Sequence, residues 1–458
     1  MMLNHIWLAM LLTAMLVAGV TGNVRASVDA AIRAAETAVT LALGLVGVMA
    51  LWLGVMRLAE RSGLVGILAR VLRPVLSRLF PDVPPDHPAM GSMVMNIAAN
   101  MLGLTNAATP LGLRAMRDLE TLNRHPGTAT NAMCTFLAIN TGSVQLIPAT
   151  AIAVLAASGS LNPTAIVGST LVATCFSSAA GLMAVKWMER WAVFRVPTGS
   201  GSTETRETSV SGDGPEDSVV PAVPVAADAS AGASPRPMPR WGLVVLVAVA
   251  LGYLAIAMTL VFPEWVGRAP DASDMDQPVW VRWMGAVSVL AIPVLLSFFP
   301  LFAALRGVAV YEEFVEGAKE GFQVAVKIIP FLVAMLVAIG FLRGAGAIEG
   351  FTNLLRAPME ALGFPPELLP ISLIRPLSGS ASLAAFSDLV KTFGADSLLA
   401  RTAGTLFGST ETTFYVLAVY FGSVAVRRVR HAVWAGLIAD ATGVVAAVVV
   451  CRLMFGGG

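Results

Sequence analysis

The chain has 458 residues, 56% hydrophobic and only 13% charged, with a net charge of +1 and a mean hydropathy of +0.75. Soluble domains carry roughly 25% charged residues, so the composition excludes an ordinary soluble globule and indicates an all-α polytopic membrane protein. The near-neutral balance gives no footing for nucleic-acid binding. Cys134, Cys175 and Cys451 lie far apart in apolar runs and are expected as small core residues. His5, His87, His125 and His431 show no metal-ligand spacing; no metal site and no resident cofactor are expected.

Taken in order, residues 6–22 form a first span, and the lack of a basic stretch before it argues for a retained helix over a cleaved signal peptide. The segment 23–36, with Arg25, Asp29, Arg33 and Glu36, is expected at the interface, ahead of a span near 38–56. Arg57, Arg61, Arg70, Arg73 and Arg78 follow in an amphipathic segment closed by Pro81, Pro84, Pro85 and Pro88. Residues 90–104, interrupted by Asn96, Asn100 and Gly103, lead through 105–110 into a charged helix with Arg114, Arg117, Asp118 and Glu120. A crossing needs about 20 residues; each arm is too short, and a re-entrant helical hairpin fits better. The apolar run 128–157 is long enough to cross, yet it contains Asn140-Thr141-Gly142-Ser143-Val144-Gln145-Leu146-Ile147-Pro148. Gly and Pro break the helical ladder there, and broken backbone at membrane depth requires a protein or aqueous surround. A final span at 165–188 closes the first half.

Residues 192–240 are dominated by Thr, Ser, Gly, Pro, Asp and Glu without apolar periodicity, which predicts a disordered tether. The second half opens with a span at 241–261 and a polar loop carrying Glu264, Asp271, Asp274 and Asp276. Spans near 285–305 and 324–341 are separated by an acidic amphipathic stretch with Glu312, Glu313, Glu316, Lys319 and Glu320. An interfacial segment at 346–362 precedes a second hairpin, 368–392, bent at Arg375-Pro376-Leu377-Ser378-Gly379-Ser380-Ala381-Ser382. A second broken span, 398–421, holds Gly408-Ser409-Thr410-Glu411-Thr412-Thr413, and 431–454 is the last span.

The order of elements repeats. Gln145 and Glu411, Gly142 and Gly408, and Leu171 and Leu437 all stand 266 residues apart. Lys and Arg mark cytoplasmic loops, which places Arg57–Arg78 and Arg114–Arg124 inside, the uncharged loop 158–163 outside, and Arg427-Arg428-Val429-Arg430 inside. Equivalent loops therefore face opposite sides, and the unmatched span at 241–261 supplies the inversion. The reading is two inverted-topology repeats, each with a re-entrant hairpin and a broken transmembrane helix: a first membrane repeat at 1–191, the tether at 192–240, and a second membrane repeat at 241–458. The N-terminus and tether are expected in the cytoplasm and the C-terminus outside, in the inner (cytoplasmic) membrane.

Inverted pairs of broken helices gather a solute site near the midplane, because the freed N–H and C=O groups attract polar or charged ligands. The substrate- or ion-binding candidates in the first half are Asn96, Asn100, Thr105 and Asn106 in the hairpin and Asn140, Thr141, Ser143 and Gln145 in the broken span. In the second half they are Arg375, Ser378, Ser380, Ser382 and Asp388, with Ser409, Thr410, Glu411 and Thr412. An intramembrane carboxylate is costly and by default functional, so Glu411 stands out as ligand, cation site or proton relay; the plainer alternative is an ion pair with Arg375 or Arg401. Asp440, where the first half has Thr174, supports a structural and a functional role equally. Many Ser and Thr residues, Ser169 and Ser177 among them, serve ordinary helix packing.

The chain lacks a Gly-Lys-Ser/Thr phosphate loop and any Ser or Cys nucleophile motif; an enzyme or a self-powered pump is not expected. Two strings carry a family resemblance. GSMVMNIAANMLGLTNAATPLGLRAMRDLETLN with NTGSVQLIPATAIAV resembles spore maturation protein A, and IRPLSGSASLAAFSDLVKTFGADSLLARTAGTLFGSTETTFYVLAVYFG resembles spore maturation protein B. The resemblance covers most of 1–191 and about 285–455, as in a fusion of two proteins. It implies the nucleoside-recognition, or gate, domain, similar in outline to concentrative nucleoside transporters. Residues and resemblance together predict a secondary transporter of a small polar or anionic solute, nucleoside-like or carboxylate, coupled to Na+ or H+. The alternative is a non-transporting membrane scaffold or envelope-maturation factor. The expected partners are a small-molecule solute and the lipid bilayer, with room for a homo-oligomer.

Overall fold

The computed structural model describes residues 2–103, 105–194, 236–266, 278–361 and 363–456. Most of the expected tether lies outside them. Among the described residues the secondary structure is helical apart from one isolated bridge, Thr128 to Arg428.

The first half opens with α1 (Met2–Thr21) and α2 (Val24–Arg61). Gly22 parts them at φ +73°, a left-handed turn that glycine adopts without steric cost. The expected interfacial segment 23–36 is no separate element: α2 runs unbroken for 38 residues. Its charged first turns lie on alanine-rich sequence without a breaker, so the helix continues through them. Next come α3 (Leu64–Leu79), α4 (Pro88–Met101) and α5 (Thr105–Glu120), then the broken pair α6 (Asn131–Gly142) and α7 (Ala149–Ala157), and α8 (Ile166–Met188).

The second half holds α9 (Arg240–Val261), α10 (Val279–Leu305), α11 (Val310–Gly344) and α12 (Ala347–Ala361). After these come α13 (Leu369–Ile374) and α14 (Gly379–Phe393), the broken pair α15 (Leu398–Ser409) and α16 (Thr413–Gly422), and α17 (Ala432–Phe455). Here too an expected boundary disappears, because the acidic stretch 312–320 is the opening of α11. Its carboxylates face α2: Glu313 lies 2.7 Å from Arg57 Nε and 3.3 Å from Arg61 Nε, and Glu320 pairs with Arg57. Among the described residues six helices, α2, α8, α9, α10, α11 and α17, are long and apolar enough to cross a bilayer. The chain is a multi-pass membrane protein.

Two long seams join the halves. In lipid, helices gain little from hydrophobic exclusion and associate by close packing of small residues. α11 meets α2 on such a ridge: a Cβ on Gly317 would stand 2.4 Å from the Leu53 carbonyl oxygen, and one on Gly321 2.5 Å from that of Met49. At the far end a Cβ on Gly344 would stand 2.6 Å from Ser27 Cα. The second seam sets α8 against α17, where Ser177 Oγ donates to the Ala439 carbonyl at 2.9 Å. The cysteines divide: Cys134 and Cys451 are buried as expected, but Cys175 is exposed.

The two broken pairs run antiparallel. Near the start of the first, Arg427 N–H donates to the Gly127 carbonyl and Ala129 N–H to that of Arg428, beside the end of the second pair. At the opposite pole Asp396, just before α15, accepts from Ser160 Oγ at 2.6 Å and from Leu161 N–H at 2.9 Å, just after α7.

Candidate functional site

Each broken pair begins with a capped helix. Thr130 Oγ1 accepts from Met133 N–H and Ser397 Oγ from Ala400 N–H, both at 3.1 Å, satisfying one of the free donors at a helix start. Each break is then fastened beside a neighbouring turn between two helices. Leu146 N–H donates to the Met101 carbonyl at 3.1 Å, beside the α4–α5 turn, and Phe414 N–H donates to the Pro376 carbonyl at 3.0 Å, beside the α13–α14 turn. Between the breaks, Glu411 N–H donates to the Thr141 carbonyl at 2.9 Å. Backbone groups released by helix breakage are thus paired by protein, as a membrane interior requires.

At this junction lies a cavity of about 270 Å³ lined by residues of both halves, among them Gly103, Gln145, Pro148, Ile328, Arg375, Ser380, Phe407, Glu411 and Thr412. Arg375, only 4% exposed, organises it. Its Nη2 donates to the Thr410 carbonyl, which the break has freed, and lies 3.9 Å from Glu411 Oε2. Its Nη1 donates to Thr412 Oγ1 at 3.3 Å, and its guanidinium sits 4.6 Å from the Phe407 ring centroid, a cation–π distance. Glu411 Oε1 accepts from Gln145 Nε2 at 2.9 Å. The Glu411 side chain is about one-third exposed to the cavity, so the carboxylate is held by two partners and remains reachable. The ion pair with Arg375 is present, though long; Arg401 turns instead to Asp396 at 3.7 Å.

The expected residues separate into distinct places. Gln145, Arg375, Ser380, Glu411 and Thr412 line the cavity. Ser378 caps α14, accepting from Ala381 N–H, and its Oγ lies 3.3 Å from Ser380 Oγ. Ser382 and Ser409 bond carbonyls of their own helices. Ser143 Oγ and Thr410 Oγ1 are buried without a hydrogen-bond partner, while Thr141 contributes its carbonyl. Asn96, Asn100 and Asn140 form a second polar cluster: Asn100 Nδ2 donates to Asn140 Oδ1 at 2.8 Å, and Asn96 Nδ2 donates to the Ala108 carbonyl at 2.7 Å. The side chains of Thr105 and Asn106 lie outside the described residues. Asp388 is not in the cavity. It pairs with Arg343 of α11 at 2.7 Å and lines a separate, larger and mostly apolar space of about 700 Å³ with Leu342, Phe351 and Thr392.

Tyr420 was not among the expected residues. Its hydroxyl lies 3.3 Å from Asn96 Nδ2, donates to Asn140 Oδ1 at 3.5 Å, and abuts Gly112 of α5. Two tyrosines, Tyr415 and Tyr420, stand in α16, and only the fold shows that Tyr420 is the buried one, where a phenol seeks a partner.

A family model described as "Gate: Nucleoside recognition" matches residues 42–185 and 325–427, together more than half of the chain. Spore maturation protein A of Bacillus subtilis (strain 168) is 45% identical over 176 residues, which is 38% of this chain and 90% of that protein. Spore maturation protein B of the same organism is 43% identical over 176 residues, 38% of this chain and 97% of that protein. Each relative accounts for a part of the chain, as a fusion requires, and none of the three belongs to an enzyme family.

Proposed function

The chain belongs to the nucleoside-recognition gate family, and on that footing we propose that it is a secondary transporter moving a small polar or anionic solute by alternating access. One observation carries the reading: a buried guanidinium, a partly exposed carboxylate and an amide converge from two antiparallel broken helices on one cavity. The cavity is smaller than the roughly 300–1,000 Å³ that holds drug-sized ligands, which suits a compact solute. Arg375 offers a fixed positive fork for an oxyanion, and Gln145, Ser380 and Thr412 offer neutral hydrogen bonds.

Alternating access needs two half-structures that can rock about a common site. Supporting an inverted repeat, Gln145 touches Glu411 and Ser177 lies beside Gly443, both at the 266-residue offset; residues on a twofold axis meet their own equivalents. α6 and α15 each pack on both α8 and α17, the exchange such an axis produces. In this reading α4–α5 and α13–α14 are the re-entrant hairpins, α9 is the inverting span, and the halves are 1–191 and 241–458. The protein sits in the inner membrane with its N-terminus and tether cytoplasmic and its C-terminus outside.

The test is uptake of labelled nucleosides, carboxylates and amino acids into proteoliposomes, preceded by a thermal-shift screen of the same compounds. A ligand at 100 times its Kd stabilises the fold by about 2.7 kcal/mol. Uptake that Glu411→Gln with Ser380→Ala abolishes, in a chain still folded and inserted, is the expected result. A second reading draws on the relatives, whose names attach them to spore maturation: a scaffold or envelope-maturation factor that keeps the gate fold. Absence of binding and flux for every class, with maturation function intact in the double variant, selects that reading.

A further inference from the structure

Asp440, in the middle of α17, is 4% exposed and takes no part in the cavity. Its Oδ2 accepts from Thr413 Oγ1 at 2.6 Å, while Oδ1 is buried with no hydrogen-bond partner. Among the described residues no Lys, Arg or His nitrogen comes within 4.0 Å of it. An ionised carboxylate held this way lacks both water and a counter-charge, whereas the protonated form carries no charge to solvate. The surrounding helices do not supply the missing charge. α8 presents Ser177 and α6 presents Thr141, one turn on either side of Asp440 at Gly443 and Gly436, and Thr410 lies against Gly443 with its own Oγ1 unpartnered. The charged groups that act on Asp440 are Arg375 and Glu411, of opposite sign and both beyond ion-pair distance.

We propose that Asp440 is an exchangeable proton-binding site, loaded and emptied as the solute site changes occupancy. This rests on the transporter reading above and names its coupling ion. The step is a simple association: a proton from water adds to Oδ1 and converts the carboxylate to a carboxylic acid, with no other bond altered. With Asp440 ionised, Arg375, Glu411 and Asp440 sum to one negative charge; with Asp440 protonated they sum to zero. An anionic solute therefore meets a less repulsive site when the proton is aboard, and by reciprocity its binding favours proton uptake. Thr413 carries the connection, since its hydroxyl holds Asp440 while its chain neighbour Thr412 holds Arg375 Nη1. The equivalent position, Thr174, only bonds its own helix at the Leu171 carbonyl, so one site per chain is expected.

Infrared titration of the full chain in lipid nanodiscs, with no solute added, reads Asp440 directly. The expected result is a carboxylic-acid C=O band that fades with rising pH, is kept in Glu411→Gln and is missing from the near-isosteric Asp440→Asn. A titration in Asp440→Asn identical to that of the unsubstituted chain overturns the assignment, as does a band that responds to added Na+ and not to pH. Should Asp440→Asn fail to insert, Thr413→Val decides: a pH-dependent acid band shifted in frequency supports the site, an unshifted one overturns it. A chain that titrates at Asp440 yet moves no solute overturns only the transporter reading. Flux without titration at Asp440 overturns only the proton site.

Discussion

The two helix breaks solve one problem with different chemistry. The first, residues 143–148, is six residues long, ends on a proline and carries no charge. The second, residues 410–412, is three residues long, has neither glycine nor proline within it and holds Glu411. Gly142 and Pro148 interrupt the first ladder from within the backbone. The second stays open because the Arg375 guanidinium takes the Thr410 carbonyl in place of a helical N–H. In both breaks a distant side chain takes a freed carbonyl, the Ser178 hydroxyl that of Gly142 and the Arg375 guanidinium that of Thr410, but only the second partner is charged. A break held by a charged side chain can respond to charge, and that is where the acids Glu411 and Asp440 gather.

The largest effect is expected at Arg375. Arg375→Ala leaves the buried Thr410 carbonyl without its donor and Glu411 with Gln145 alone, a loss of about 1–3 kcal/mol seen as a lowered melting temperature, together with loss of flux. Arg375→Lys does not restore flux, because an ammonium lacks the planar fork that reaches Thr410, Thr412 and Glu411 at once. Wild-type stability and uptake in Arg375→Ala would erase the contrast between the breaks. Glu411→Gln removes the charge but keeps the hydrogen bond to Gln145, so flux falls at least tenfold, about 1.4 kcal/mol, and melting falls less than in Arg375→Ala because Thr410 and Thr412 still accept from the guanidinium. Gln145→Ala is milder, costing about 1 kcal/mol in binding without changing the pH dependence; an equal loss from both variants would mean that the charge is not decisive.

Orientation sharpens the comparison further. Reporters inserted at 158–163 and at 427–430 should report opposite sides of the membrane, and a common side breaks the inversion. The smallest effect belongs to Asp396, in the loop before α15, whose carboxyl is held below its usual range by the Ser160 hydroxyl and the Leu161 N–H. A lowered folded value contributes stability above the unfolded pKa of about 3.9, lost as pH falls through the folded value. Asp396→Asn should cost about 1 kcal/mol near neutrality, given its partial exposure. Its melting temperature should converge on that of the unsubstituted chain in acid; a gap independent of pH would detach this contact from the carboxylate.

Much of this architecture was legible in the residues. Hydropathy gave the spans, and Gly142, Pro148 and the polar run at 408–413 marked the breaks. The 266-residue offset paired Gln145 with Glu411 as equivalents, and the fold adds that they bond each other. What escaped depended on distant partners. Asp388 has the character of a site residue until Arg343, 45 positions earlier, is seen to pair with it. The charged opening of α11 resembles an interfacial segment until Arg57, near the end of α2, is seen against Glu313 and Glu320. The Gly317/Gly321 and Gly340/Gly344 spacings were a readable signal of close helix packing, and only the fold reveals α2 as their partner.

That seam has a consequence for the covalent chain itself. α2 and α11 meet backbone to backbone at both ends, and α8 and α17 pack closely through Gly181 on Ala439 and Ser177 on Gly443, so the halves are held by surfaces rather than by the peptide that joins them. Once folded, the chain should survive a cut anywhere between residues 195 and 235, its two fragments purifying together at full stoichiometry. Before folding, the same peptide keeps each half at a high effective concentration for the other. Its work is finished when the glycine ridge closes; were the halves made as two polypeptides, this ridge would be the subunit interface.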